Sequence, residues 1–300
     1  MTDIRQSPYW AAFMKELGWE VLPLTQGQHR QFAYIRKLPL FGKTLKAPRL
    51  SLPISFSQID SLAQAEKIVF SKIEPNTSLP NSQIVSELKN YHYKSDRWAL
   101  QPTKTIILNL TKSDDELLKN MEKDTRYSIR AAQRRGVRVV KSNDLNRFLK
   151  LYRQTAKRQK FWFPEKDLKL LWDIFSNEGK AYILIAVWNK TDIAGSLILH
   201  HDKTAYYYHA ASLRTNKDLF APYLLVWESM QTAKNLGLKH LDLEGVYDRR
   251  IPSTKKWRGF THFKRGFRGE EVEFVGSFVK TYNPILSTFY NLGNFSFSSR

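Results

Sequence analysis

The stretch Lys239–Val275, KHLDLEGVYDRRIPSTKKWRGFTHFKRGFRGEEVEFV, carries most of what the chain says about itself. His240 to Leu243 alternate apolar and polar residues, which predicts a short strand. The strand runs into a loop with Asp242 and Glu244, broken at Gly245. From Ile251 to Phe263 the segment is polar and basic. Trp257, Phe260 and Phe263 recur there at i, i+3 and i+6, a helical stripe that Pro252 can open. Lys264 and Arg265 close the helix; Gly266 and Gly269 provide a turn, and Val272–Phe274 resume a strand alternation. A lysine at a helix end complements the helix dipole, and on these grounds alone Lys264 needs no further role.

Working outward, Leu219–Asn235 reads as a helix stopped by Gly237, feeding the His240 strand. Before it come three apolar strands, Ala181–Trp188, Ile193–His200 and Ala205–Ala210, and before those two helices, Leu145–Gln159 and Glu165–Ser176. Phe161-Trp162-Phe163 joins the helices and is expected to be buried. Helix, helix, three strands, helix, strand, helix, strand is the order of an acyl-CoA N-acetyltransferase (GNAT) domain. The first half shows a similar order. A helix at Gln6–Leu17 carries Trp10, Phe13, Met14 and Leu17 on one face. Strands Glu20–Leu24 and Gln31–Leu38 follow, then a Pro/Gly-rich loop with Lys37, Lys43, Lys46 and Arg49. Helices are expected at Gln58–Val69 and Asn81–Asn90, and a strand at Thr105–Leu110. The expected fold is mixed α+β, two tandem GNAT-like domains at residues 1–143 and 144–300, the C-terminal segment returning toward the first.

The chain of 300 residues has a net charge of +20 and no cysteine. Disulfides, thiolate zinc sites and cysteine nucleophiles are thereby excluded. The charge calls for an anionic partner, and the 8 Trp, 14 Tyr and 18 Phe residues argue for a folded one rather than a disordered basic tail. From Lys119 to Lys160 there are 14 Lys/Arg against 3 Asp/Glu, so over half of the net charge lies in 42 residues. Just before them Ser113 and Glu116 form a capping box, and within them Lys123, Arg126, Arg130 and Arg134 lie along one side of a helix ended by Gly136, with Ile129 and Ala132 facing inward. A phosphate backbone is the partner such a stripe suits. No apolar run approaches the roughly 18 residues that span a membrane, and MTDIRQSPYWAAF lacks the features of a signal peptide, so a cytoplasmic protein is expected.

Three features together resemble the FemX/FemA/FemB aminoacyltransferases: LDLEG, the spaced FKRGFRGEEVEFVG ending, and Lys123-x-Thr-Arg-Tyr-x-Ile-Arg-x-Ala. The Gln6-Ser-x-x-Trp10 opening and the Ala221–Trp227 helix start agree with them. The resemblance implies the tandem GNAT-like fold, transfer of an amino acid from aminoacyl-tRNA to an amine of a peptidoglycan precursor, and no cofactor or metal. It places Phe263 and Lys264 in the active site, the lysine stabilising an oxyanion. It places Lys37 and Arg49 near the sugar diphosphate of the acceptor, with Tyr91 and Tyr223 also in substrate contact, and Asp96 or Asp242 as a proton acceptor. The basic helix would hold tRNA. A monomer is expected, with peripheral contact at the inner membrane face through the aromatic tail Tyr282–Phe297. The long helical arm of FemA and FemB has no counterpart here, which makes the chain FemX-like in length.

Acetyl-CoA is an unsuitable donor. GNAT enzymes bind its pyrophosphate on a glycine-rich turn whose backbone N–H groups approach the phosphates. At that place stands Arg214-Thr-Asn-Lys-Asp-Leu-Phe-Ala-Pro-Tyr223, without a glycine. His200 and His201 share a strand, but no third ligand stands at a metal-binding spacing. Two rival readings stay open: an aminoacyl-tRNA transferase with a lipid or protein N-terminus as acceptor, and a non-catalytic basic protein that binds nucleic acid or a membrane surface.

Overall fold

The computed structural model describes residues 2–26, 29–39, 42–215 and 217–283. The chain divides into two units. One is built on Met1–Lys104, Asp248–Pro252 and the stretch from Val272, the other on Thr105–Tyr247 and Ser253–Glu271. The units part at Lys104, whereas the order of predicted elements put the break near residue 143.

In chain order the first unit contains α1 (Pro8–Glu16), β1 (Glu20–Gln26), β2 (His29–Leu38), β3 (Gly42–Leu50), α2 (Phe56–Ala65), β4 (Ile68–Pro75), α3 (Ser82–Asn90) and β5 (Lys94–Asp96). The second contains β6 (Lys104–Asn109), α4 (Asp114–Asn120), α5 (Lys123–Arg134), β7 (Arg138–Ser142), α6 (Leu145–Gln159), α7 (Glu165–Asn177), β8 (Ala181–Trp188), β9 (Thr191–His201), β10 (Thr204–Ser212), α8 (Ala221–Asn235), β11 (His240–Asp242), α9 (Arg258–Arg265) and β12 (Glu270–Glu273). Strand β13 (Ser277–Thr281) belongs to the first.

The six strands of the first unit run in the order β1-β2-β3-β4-β13-β5. Its core sits between this sheet and helices α2 and α3, with Ile35, Leu45, Ile59, Ile73 and Leu88 almost fully covered. Strand β3 occupies the stretch that composition assigns to a loop. Pro48 is tolerated because the pairing with β4 slips between Ala47 and Leu50, where a missing N–H donor breaks no ladder bond. Arg49 takes a left-handed φ of 53° in that slip. The helix expected at Gln58–Val69 ends at Ala65, and Ile68 already belongs to β4.

The seven strands of the second unit run β12-β6-β11-β10-β9-β8-β7. Strand β11 pairs in parallel with β10 and antiparallel with β6. Helices α5 and α8 cover one face, where Ile129, Ala132, Leu224 and Val226 pack on Ile106, Leu108, Ile198 and Leu241. The caps read from sequence are present. Ser113 and Glu116 bond reciprocally at the start of α4, and Gly136 and Gly237 take positive φ after α5 and α8.

Two apolar expectations fail. The aromatics of Phe161–Phe163 alternate: Phe161 and Phe163 meet Tyr152 edge-on at 5.6 and 4.8 Å, which leaves Trp162 61 % exposed. The helix drawn from Ile251 to Phe263 is a 3-10 turn over Pro252–Trp257 followed by α9. Its stripe is split: Phe263 packs against the core, Phe260 is exposed, and the buried residue of α9 is Thr261.

Gly269 lies against β6. A Cβ there would stand 2.8 Å from the Ile107 carbonyl oxygen and 2.6 and 2.7 Å from Ile106 and Leu108 side-chain atoms. Gly269→Ala is expected to lower the unfolding free energy by about 1–3 kcal/mol. Urea denaturation checks this, and an unchanged midpoint would mean that the turn moves aside at no cost.

Candidate active site

Asp242 ends β11 and is buried. One of its carboxylate oxygens accepts from the Thr105 hydroxyl and, at 2.7 Å, from the Glu244 backbone N–H. This local Asx bond turns the chain, and Glu244 takes a left-handed φ of 60°. The turn aims successive carbonyls at α9, where Lys264 Nζ donates to Gly245 O at 2.8 Å and Glu244 O at 3.3 Å. The helix is pinned to the same loop: the Thr261 hydroxyl donates to Trp257 O and accepts from Tyr247 N, both at 2.8 Å.

Two of the three N–H groups of Lys264 are thus taken by carbonyls, and the third is left to a ligand. The Phe260 ring centroid lies 5.0 Å from Nζ. Burial pulls the Lys264 ammonium down to about 8, against the opposing pull of the Glu244 and Asp242 carboxylates. A half-buried cation of this kind suits the stabilisation of a developing oxyanion. Phe263, next along α9, meets Tyr223 edge-on at 4.8 Å and Phe267 at 5.5 Å. Burial raises the Tyr223 phenol, helped by the Asp124 and Glu122 carboxylates.

Four residues singled out in sequence therefore meet in the second unit: Asp242, Lys264, Phe263 and Tyr223. Asp242 does not lie free in a loop as expected; it ends a strand and shapes the turn.

On α5, Lys123, Arg130 and Arg134 are exposed. Arg126 turns back instead, donating to the carbonyls of Leu118 (3.5 Å), Lys119 (3.1 Å) and Met121. It caps α4, a use that spacing along α5 does not reveal.

The remaining residues belong to the first unit. Asp96 is buried and pairs with Lys72 Nζ at 2.7 Å, while its other oxygen accepts from Trp98 N at 3.0 Å. Arg49 is buried as well, donating to Pro102 O at 2.5 Å and lying over the Phe274 ring at 3.5 Å. Its guanidinium is committed to the interior rather than presented to a ligand. Lys37 is exposed on β2. Tyr91 is exposed too, stacked on Phe56 at 4.7 Å. The aromatic tail beyond Asn283 lies outside the described residues. Among the described residues no helix is long and apolar enough to cross a membrane.

Sequence reasoning misses a second group. Arg158, Arg214 and Lys217 line a cavity of about 640 Å³ together with Phe220, Tyr223 and Phe263. The missing glycines of the 214–223 stretch argue only against coenzyme A; its cations are the signal that points to the cavity.

Comparisons with known proteins bear on the family and the fold. A lipid II:glycine glycyltransferase of Staphylococcus aureus (strain MRSA252) is 28 % identical over 212 residues, covering 61 % of this chain and 50 % of that protein. The chain thus spans about half the length of this relative. The crystal structure of FemX superposes with a TM-score of 0.84 at 19 % identity, over 96 % of this chain and 94 % of FemX. A tandem GNAT protein from the clavulanic acid biosynthesis pathway superposes at 0.53 with 10 % identity, over 87 % and 82 % of the two chains. These likenesses bear out the tandem GNAT-like fold. The FemAB family profile matches residues 64–192 and 187–294, which spans the basic helix, the LDLEG strand and Lys264. The chain belongs to the FemAB family.

Proposed function

We propose that this protein transfers an amino acid from an aminoacyl-tRNA to an amine of a peptidoglycan precursor stem peptide. The observation that carries the reading is the Lys264 ammonium, fixed by two carbonyls beside Phe263 in the segment where the family resemblance is densest. The relative that acts on lipid II supports the acceptor class.

An aminoacyl ester is already activated, so the enzyme has to align donor and acceptor and stabilise charge. The acceptor amine attacks the ester carbonyl, and the free N–H of Lys264 donates to the oxyanion. Collapse forms the amide and expels the ribose oxygen, which takes up the proton the amine loses. Lys123, Arg130 and Arg134 offer phosphate contacts for the tRNA. In the first unit Lys37 offers an accessible basic group for the acceptor's diphosphate, and Tyr91 an exposed ring in the acceptor role.

Asp242 is assigned to shaping the turn rather than to proton transfer, because its oxygen is occupied by Thr105 and Glu244. Asp242→Asn keeps an acceptor oxygen for both and is expected to hold the rate within about tenfold. A loss of about 100- to 10,000-fold, the scale of a missing general base, would reverse that assignment.

The reading is tested by incubating the protein with a mixture of charged tRNAs and a muropeptide-pentapeptide precursor, lipid-linked or nucleotide-linked, and following the acceptor by mass spectrometry. A gain of one or more amino-acid residues is expected, and its mass names the donor. No gain with either precursor, despite tRNA binding, would move the assignment to a lipid or protein acceptor.

A further inference from the structure

The sheet of the first unit carries an ammonium that the fold leaves without a counter-charge. Leu45 and Ala47 of β3 point into the core under α2 and α3, so Lys46 between them points to the opposite face. There it stands across from Tyr34 of β2 and Lys72 of β4. Lys72 is committed to Asp96 at 2.7 Å and to the Trp98 carbonyl at 2.5 Å, and the Tyr34 hydroxyl donates to Arg5 O at 2.7 Å. Lys46 Nζ has no ion pair and no hydrogen bond among the described residues; it lies 3.8 Å from the centroid of the Trp19 ring.

Two more donors gather at that ring. The Arg36 guanidinium lies 5.5 Å from the centroid and is exposed. The Trp19 indole N–H is buried and has no hydrogen-bond partner among the described residues. An aromatic face attracts cations, but it leaves the three N–H groups of an ammonium and the single one of an indole without an acceptor, and a buried donor left so is costly. Burial pulls the Lys46 ammonium down to about 8; Arg36 and Lys72 act in the same direction and Glu74 against it. Glu74 stands two residues beyond Lys72 on β4, whereas Arg36 is paired with Thr44 on the other side of Lys46. One Glu74 oxygen is already taken by the N–H groups of Leu100 and Gln101 and by the Ser277 hydroxyl. The Arg36 end of the cluster is therefore made of donors alone.

The geometry points to a site for a carboxylate of the acceptor peptide, held by Lys46, Arg36 and the Trp19 indole N–H. A carboxylate brings one negative charge, which the uncompensated half-buried ammonium balances, and its two oxygens suit a guanidinium fork. Lys37, the neighbour of Arg36 on β2, alternates to the opposite face, so its diphosphate role does not compete. This assignment rests on the reading that the acceptor is a stem peptide, and adds the residues that hold the peptide by its charge.

The test is fluorescence anisotropy with a muropeptide-pentapeptide precursor labelled on its sugar, titrated with the full chain without tRNA. Lys46→Met keeps an apolar side chain against Trp19 and removes a cation that has no counter-charge, so it should fold as the parent does. It is expected to weaken binding by about 10- to 100-fold, the scale of a charge-assisted hydrogen bond. Arg36→Gln, at an exposed and therefore tolerant position, should weaken it by about two- to fivefold. In transfer assays both should raise KM for the acceptor much more than they lower kcat. Two acceptor analogues decide the chemistry, one with its terminal carboxylate converted to a carboxamide and the other with its internal carboxylate so converted. With one of them the parent and Lys46→Met should bind alike, which names the carboxylate. Equal binding of the unmodified acceptor by parent and Lys46→Met would overturn the site, as would a Lys46→Met defect that persists on both analogues. A defect that disappears only when the diphosphate is removed would replace the carboxylate by a phosphate. Failure of the parent itself to bind would sink the acceptor reading and this site with it. Binding without transfer from charged tRNA would sink the donor chemistry and leave this site standing.

Discussion

Lys264→Ala and Lys264→Met should lose aminoacyl transfer by about 100- to 1000-fold, the scale on which one oxyanion donor counts, while melting no lower than the parent protein. The second half of this expectation follows from the cost of covering a cation. Burial pulls the ammonium from 10.5 to about 8, so the folded state holds that proton less tightly than the unfolded chain. Below about pH 8 the cost is fully present; as the pH rises from about 8 toward 10.5 it fades, because the unfolded chain then binds the extra proton. The melting temperature of Lys264→Met should therefore exceed that of the parent at neutral pH, and the difference should shrink on the alkaline side. The rate has its own signature. Transfer by the parent should fall above about pH 8 as Lys264 loses its charge, and Lys264→Arg, which stays cationic, should be slower but lack that decline. A Lys264→Ala protein with parental turnover would end the oxyanion assignment.

Asp96→Ala should destabilise the first unit by about 3–5 kcal/mol, because it leaves Lys72 buried without its counter-charge. The pair spans strand β13: Lys72 stands opposite Val279 on one side and Asp96 opposite Ser277 on the other. Replacing both, as Lys72→Met/Asp96→Leu, should recover most of the loss, since an apolar pair of similar volume avoids the desolvation of two ions. Urea denaturation of the single and double variants decides the matter. If Asp96→Ala were as stable as the parent and had lost only its activity, the carboxylate would belong to the reaction instead.

Much of this is legible in the chain because the signals are local. Ser113 with Glu116, Gly136 after α5 and Gly237 after α8 each act within a few residues, and the elements they bound appear as read. Lys264, Asp242 and Tyr223 stand out through motifs, although the part Asp242 plays in bending the loop depends on Thr105, far off in sequence. What escapes reading is set by tertiary partners. Pro39, Gly42 and Pro48 make β3 look like a loop, yet a slip in pairing with β4 accommodates Pro48 and Arg49 within the sheet. Arg49, which the resemblance assigns to a ligand, and Arg126, which spacing assigns to one, carry charges that the fold spends on carbonyls. Trp162 is exposed because its two neighbours compete for the same tyrosine. The three-residue β5 has too short a pattern to announce itself, and its partner lies some 180 residues downstream.

The position of β13 has a consequence for how the protein is made. It lies between β4 and β5, so β5 has no neighbour in its sheet until the ribosome has delivered the residues near 280. The second unit, closed by Glu271, has its strands before that moment. Synthesis from the N-terminus therefore offers the later unit a head start over the earlier one, and the sheet begun first is finished last. Until then Asp96 has no β13 beside it, and the strands on either side of the gap are open edges of the kind that chaperones shield.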